Sequence, residues 1–208
     1  RMYSIFEKDM QPRAFISGQS KDFTDIIPTG KTDMICISFK PQGAKAFFST
    51  PMNEFYNQKI DIHLMGDKEL IEIEKRLGSA VSTTQCVDII ENFLFKKLSI
   101  IKAYNHKRIE SVIQAVNGGE DNLKKLSDIS CLSYKQFQRI FSDYVGANPK
   151  DFLRVIRFQR SLFTLQYQPD LNLAQLAAEN GYYDQSHLIR DFKTFSGYTP
   201  TEYMAVCD

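Results

Sequence analysis

Arg139 and Arg190 occupy equivalent places in two segments that repeat each other, SYKQFQRIFSDYVGANPKDFL at 133–153 and DQSHLIRDFKTFSGYTPTEYM at 184–204. One offset of 51 residues superposes Phe137 on Leu188, Phe141 on Phe192, Tyr144 on Phe195, Gly146 on Gly197 and Pro149 on Pro200. Around the arginines, at helical spacing, lie Lys135 and Gln138 in the first copy and Gln185, Ser186 and Ile189 in the second. Such side chains suit the edges of base pairs in a major groove: arginine donates to guanine O6 and N7, glutamine pairs with adenine N6 and N7. A single charged helix face is ordinarily just solvated. The same arginine in the same place twice, each time after a capped turn, favours base reading instead. Ile189 is the exception, since an apolar side chain there offers only contact with a thymine methyl.

Other reactive types point nowhere in particular. Cys131 has no histidine near it in sequence and no acid–histidine pairing to activate it, so a small turn residue is the better reading than a nucleophile. His187 precedes an apolar Leu188 and reads as a surface or phosphate-contacting group. The four cysteines are widely spaced with no C-x-x-C pair, which argues against a zinc site or a disulfide framework. No cofactor is expected, and the chain reads as non-enzymatic.

The readers need helices to hold them. Asn122 and Asn172 each stand one residue before an apolar i, i+3 pair, Leu123/Leu126 and Leu173/Leu176, and read as N-caps. Turns follow at 130–132 and 180–183, and Ser133 and Asp184 cap the second helices. In these, Phe137, Ile140, Phe141 and Tyr144, and then Leu188, Phe192 and Phe195, turn inward; Asp191 sits awkwardly beside the apolar face. Tyr182 and Tyr183 read as packing residues. Upstream, Ile109, Val112, Ile113 and Val116 form one face of a helix stopped by Gly118-Gly119. Pro149 opens a helix running to about residue 167, some 27 Å long at ~1.5 Å per residue. That suits two readers on successive major-groove segments about 34 Å apart. Arg154, Arg157 and Arg160 on it read as packing struts. Tyr134, Lys150, His187, Lys193 and Thr199 are the candidate phosphate contacts, with helix N-termini after the Gly-x-x-Pro turns offering free amides.

The front of the chain has a different rhythm. Apolar runs at 14–17, 23–27 and 33–39, punctuated by Gly and Pro, predict strands; residues 44–49 predict a short helix, and 68–77 and 85–98 predict longer ones. In the last, Val87, Ile90, Phe93/Leu94 and Leu98 form the expected apolar stripe. A polar bend at 101–106 is the expected boundary. The fold class is therefore α+β: a partial β-rich region with helices over 1–104, then an all-α tandem helix-turn-helix region over 105–208. Its two subdomains fall at about 107–148 and 170–208, joined by a helix over 149–167.

Bulk numbers bound the function. With 26 Lys+Arg against 25 Asp+Glu, and 12 against 12 over 107–208, no basic domain announces nucleic acid by charge alone. Non-specific affinity should be modest, with a shallow salt slope. No apolar run reaches 18 residues, so the expectation is a chain with no membrane partner, in the cytoplasm. The first residue is Arg1, which fits a fragment or processed chain.

The last hundred residues resemble the tandem helix-turn-helix domain of AraC/XylS-type transcription regulators. LSDISCLSYKQFQRIFSDYVGANPKDFLRVIRFQ and LAQLAAENGYYDQSHLIRDFKTFSGYTPTEY carry the likeness, the second with the family's glycine-aromatic turn, D-Q-S and closing G-x-x-P-x-x-Y. Ser127 departs from the usual alanine, which Ala177 keeps. The resemblance implies a bacterial, sequence-specific regulator of transcription with double-stranded DNA and RNA polymerase as partners. It places base reading on Lys135, Gln138, Arg139, Gln185, Ser186, Ile189 and Arg190. MICISFKPQGAKAFFSTPMNEFYNQ is similar to the tail of a cupin-like sensor domain, implying a small-molecule effector. If strands are missing at its start, an open sheet edge predicts a homodimer or poor order near residues 1–40. The competing class is a helical protein–protein module without DNA binding.

Overall fold

The computed structural model describes residues 2–4, 8–98, 103–168 and 170–207. Its strands are short and come first: β1 (Met2–Ser4), β2 (Asp9–Met10), β3 (Phe15–Ser17), β4 (Ile26–Pro28) and β5 (Lys59–Asp61). β1 is flanked by β2 and β4, both antiparallel, with Tyr3 opposite Met10 and Ile27; β3 pairs antiparallel with β5, Ile16 opposite Ile60. The apolar run at 33–39 forms no strand. A strand exists only where a neighbour completes its ladder, and Met34, Ile35 and Ile37 instead lie exposed.

After β3 the chain passes close beneath the 3-10 turn Met52–Phe55, where Gly18 donates to Gln58 O at 3.1 Å and Asn57 donates to Gln19 O at 2.7 Å. A Cβ on residue 18 would lie 1.9 Å from the Phe55 carbonyl oxygen. Gly18→Ala is therefore expected to lower stability by about 1–3 kcal/mol, because backbone rather than a flexible side chain must move. A denaturant midpoint indistinguishable from wild type would refute this.

The segment at 44–49 contains only a 3-10 turn, Ala44–Ala46, and the longer helices follow as α1 (Lys68–Gly78) and α2 (Thr83–Lys97). Asp67 caps α1 and Ser82 caps α2; Lys97 Nζ joins the two helices through Asp67 at 2.7 Å and Glu69 at 2.8 Å. The stripe on α2 differs from expectation. Ile89 and Ile90 are buried, whereas Val87 and Leu98 are exposed, because α1 packs along only a narrow strip of this helix. Of the bend expected at 101–106, residues 101 and 102 lie outside the described residues, and 103–106 are helical.

The remaining helices are α3 (Ala103–Asn117), α4 (Leu123–Ile129), α5 (Tyr134–Val145), α6 (Pro149–Tyr167), α7 (Leu173–Glu179), α8 (Gln185–Ser196) and α9 (Pro200–Cys207). The chain divides into two compact units: Arg1–Gln19 with Asp25–Asn148, and Ser20–Thr24 with Pro149–Asp208. In the first unit α3 packs on α4 and α5, burying Ile109, Val112, Ile113 and Val116. The 3-10 turns Ala44–Ala46 and Met52–Phe55 also pack on α5. In the second, α6, α7 and α8 enclose a core of Phe158, Leu165, Leu176, Ala177, Tyr182, Leu188 and Phe192. Phe158 meets Phe192 edge-on at 5.1 Å, a geometry aromatic quadrupoles favour. The architecture is α+β, with β structure confined to the front.

Candidate nucleic-acid interface

Each half of the repeat is a buttress helix, a capped short helix, a turn and a capped second helix. Asn122 Oδ1 accepts from the amides of Lys124 and Lys125 at 3.0 and 3.1 Å. Asn172 Oδ1 accepts from Gln175 N at 2.9 Å, and the Gln175 side chain reaches back to the Asn172 amide. Ser133 and Gln136 form the same reciprocal pair at the start of α5, and Asp184 accepts from His187 N at 2.7 Å at the start of α8. Four orphan-amide sets are thus answered by side chains from the predicted positions. Ser133→Ala and Asn172→Ala should each lower stability by about 1 kcal/mol. Chemical denaturation of each variant checks this; a change of a few tenths would show the caps to be replaceable by water.

The turns fix where the second helices point. Ser127, buried beneath the first turn, donates to Leu132 O at 2.9 Å, and Ser130 donates to Ser127 O at 2.6 Å. A serine here therefore stitches the turn, where Ala177 is simply packed. Cys131 has φ of 52° and Gly181 has φ of 71°, so the same left-handed corner is made once with glycine and once without. Cys131 is a free, exposed thiol.

On α5, Phe137, Phe141 and Tyr144 are buried, and Tyr134, Lys135, Gln138 and Arg139 are exposed. On α8, Leu188 and Phe192 are buried; Gln185, Ser186 and Arg190 are exposed, and Ile189 is half-buried. Each helix therefore presents its donor set on the side opposite its core. Among the other candidates, Lys150 and Lys193 are exposed. His187 lies edge-on against the Tyr182 ring at 5.2 Å. Thr199 is engaged at the start of α9: its amide donates to Glu202 Oε2 at 2.7 Å, and its Oγ1 accepts from Glu202 N at 3.2 Å. The Thr199 amide, helped by the Thr199 side chain, holds the Glu202 carboxyl below its ordinary range, so an anion already sits at that helix end.

Sequence read Tyr182 rightly as a packing residue, misread Tyr183 and left Asp191 unexplained. Tyr182 is buried, and burial pushes its phenol up to about 12. Tyr183 is 94% exposed, so only the first of the two adjacent tyrosines packs. Asp191 is fully buried, and its Oδ1 accepts from Arg154 Nε at 2.7 Å. Arg154 also reaches Thr194 Oγ1 at 3.4 Å and lies 5.0 Å from the Phe195 ring centroid, so one arginine on α6 touches three residues of α8, Asp191, Thr194 and Phe195. Arg157 lies 5.5 Å from the Tyr182 ring centroid. Nothing local in the sequence could have revealed the Arg154–Asp191 pair; it joins residues 37 apart.

Residues 126–205 match the family described as "Helix-turn-helix domain", and residues 2–61 match a domain of unknown function, DUF6597. An uncharacterized HTH-type transcriptional regulator of Haemophilus influenzae is 24% identical over 159 residues, covering 74% of this chain and 51% of that protein. The HTH-type transcriptional regulator MtrA of Neisseria gonorrhoeae is 29% identical over 107 residues, 50% of this chain and 35% of that protein. The F1 operon positive regulatory protein of Yersinia pestis is 31% identical over 105 residues, 47% of this chain and 34% of that protein. The chain thus spans between a third and a half of the length of these relatives. Residues 126–205 thus carry a helix-turn-helix domain similar to that of these regulators, with a region similar to DUF6597 ahead of it.

Proposed function

We propose that the chain is a sequence-specific DNA-binding regulator of transcription, with α5 and α8 as two non-identical readers entering adjacent major-groove segments. The observation that carries this is the recurrence of an exposed arginine, Arg139 and Arg190, at the same place on two capped helices whose opposite faces are buried. Lys135 and Gln138 complete one reader; Gln185, Ser186 and the methyl-contacting Ile189 complete the other. Lys150, Lys193 and Tyr134 are the better phosphate contacts. His187 and Thr199 are weaker ones, because packing and capping already engage them. Residues 105–208 form the DNA-binding part and residues 1–104 the front region, which modulates it through a small-molecule effector or a homodimer. RNA polymerase is the further partner, and the cytoplasm the place of action. Among the described residues no helix is long and apolar enough to cross a membrane.

Selection of bound duplexes from a random pool tests the assignment. The expected product is an asymmetric site of two different half-elements. Recovery of no enriched sequence at moderate salt would overturn it in favour of a protein-binding role.

A further inference from the structure

The repeat makes Gly146 and Gly197 equivalent, and each closes a reader helix with positive φ, 96° and 82°. Each also has a piece of the front region lying directly on it. At Gly146, a Cβ would stand 3.2 Å from the Met52 carbonyl oxygen. Met52, Phe55 and Ala46 are buried in the two 3-10 turns that pack on α5. One turn before the glycine, Asp143 Oδ1 accepts from Lys45 Nζ at 3.1 Å, and the same ammonium donates to the carbonyls of Ser49 and Thr50. At Gly197, within the other unit, a Cβ would stand 2.9 to 3.2 Å from three carbons of the Phe23 ring. There the Phe23 amide donates to Thr194 O at 3.1 Å.

We propose that Gly146 and Gly197 are paired docking seats by which two front segments, residues 44–55 and residues 20–24, hold the two reader helices by their C-terminal ends. The left-handed turn already favours glycine at both positions. At Gly146 the close approach of the Met52 carbonyl adds a second, independent reason for having no side chain, and at Gly197 a side chain would displace the Phe23 ring from its place. Both contacts leave Lys135, Gln138, Arg139, Gln185, Ser186 and Arg190 uncovered, so the seats govern how a reader is held and not whether its base-reading face is open. A change in either front segment then reaches one reader through the end of one helix. This consequence rests on the DNA-reading assignment; the contacts themselves do not.

Hydrogen exchange on the full chain without DNA tests the seats. Phe23→Ala is expected to speed exchange in residues 193–198 about tenfold while leaving 143–147 unchanged, because local opening is set by local contacts. Lys45→Met, which keeps the aliphatic stem, is expected to speed 44–55 and 143–147 and leave 193–198 unchanged. Phe23→Leu should restore most of the protection, which a general loss of folding would not allow. Exchange in both regions indifferent to these changes would overturn the seats. On a duplex obtained by selection, both variants are expected to shift affinity by about tenfold, comparable to a direct base contact. Wild-type affinity in both would overturn the control role. A wild-type chain that bound no duplex would sink the DNA-reading assignment instead, with the exchange result still deciding the seats.

Discussion

Arg190→Ala, and separately Arg139→Ala, is expected to weaken binding to a selected site by about 1–3 kcal/mol and to relax preference at one base position. Both guanidinium groups sit on exposed helix faces, with no ion-pair partner among the described residues, so no internal contact competes for their donors. A guanidinium bonded twice to a guanine loses both bonds on truncation, whereas a wrong base already forfeits them. Discrimination should therefore fall along with affinity. Lys150→Ala and Lys193→Ala are the contrast: weakening should be uniform across sequences, with the salt slope shallower by about one charge. Competition binding against single-base variants of the selected site distinguishes the two. Uniform weakening by the arginine variants would reassign them to phosphates.

Arg154→Met should destabilise the second unit by about 3 kcal/mol, the lower end of the range for leaving a buried charge without its partner. The Asp191 side chain is 0% exposed, while that of Arg154 is 37% exposed, so the loss falls on the aspartate and not on the arginine. Asp191 Oδ2 already has no hydrogen-bond partner, so little else can compensate the group once Oδ1 is abandoned. Adding Asp191→Leu to Arg154→Met should recover much of the loss, since an apolar pair of similar volume needs no desolvation of charge. Urea unfolding followed through the second unit measures both. A loss below about 1 kcal/mol, the scale of an exposed ion pair, would show that water reaches Asp191 after all.

The two expectations differ in how they could have been found. The two capped helix-turn-helix halves were visible in the sequence because a 3.6-residue period, an N-cap and a left-handed turn are each local, and they recur 51 residues apart. Asn122, Ser133, Asn172 and Asp184 all cap where spacing placed them. The Arg154 clamp was invisible, because Asp191 looks like an error on its own helix until α6 is laid beside it. The front was poorly legible for another reason. Strands of two or three residues are too short to show alternation, and the longer apolar run at 33–39 stays unpaired. Tyr182 and Tyr183 are identical in type and adjacent, and only the path of the turn decides which one packs. The Phe23 and Met52 contacts lie more than ninety residues from the glycines they cover, beyond any local pattern.

The division of the chain between Asn148 and Pro149 assigns α6 to the second reader as its buttress, just as α3 buttresses the first. Two weak modules joined in one chain gain by avidity, with the second event governed by an effective concentration, and the gain vanishes if both cannot engage at once. The gain should therefore depend on the spacing of the half-elements, since both readers must engage at once. Inserting base pairs until both can no longer engage at once would then discard the bivalent advantage while leaving every contact of each reader intact.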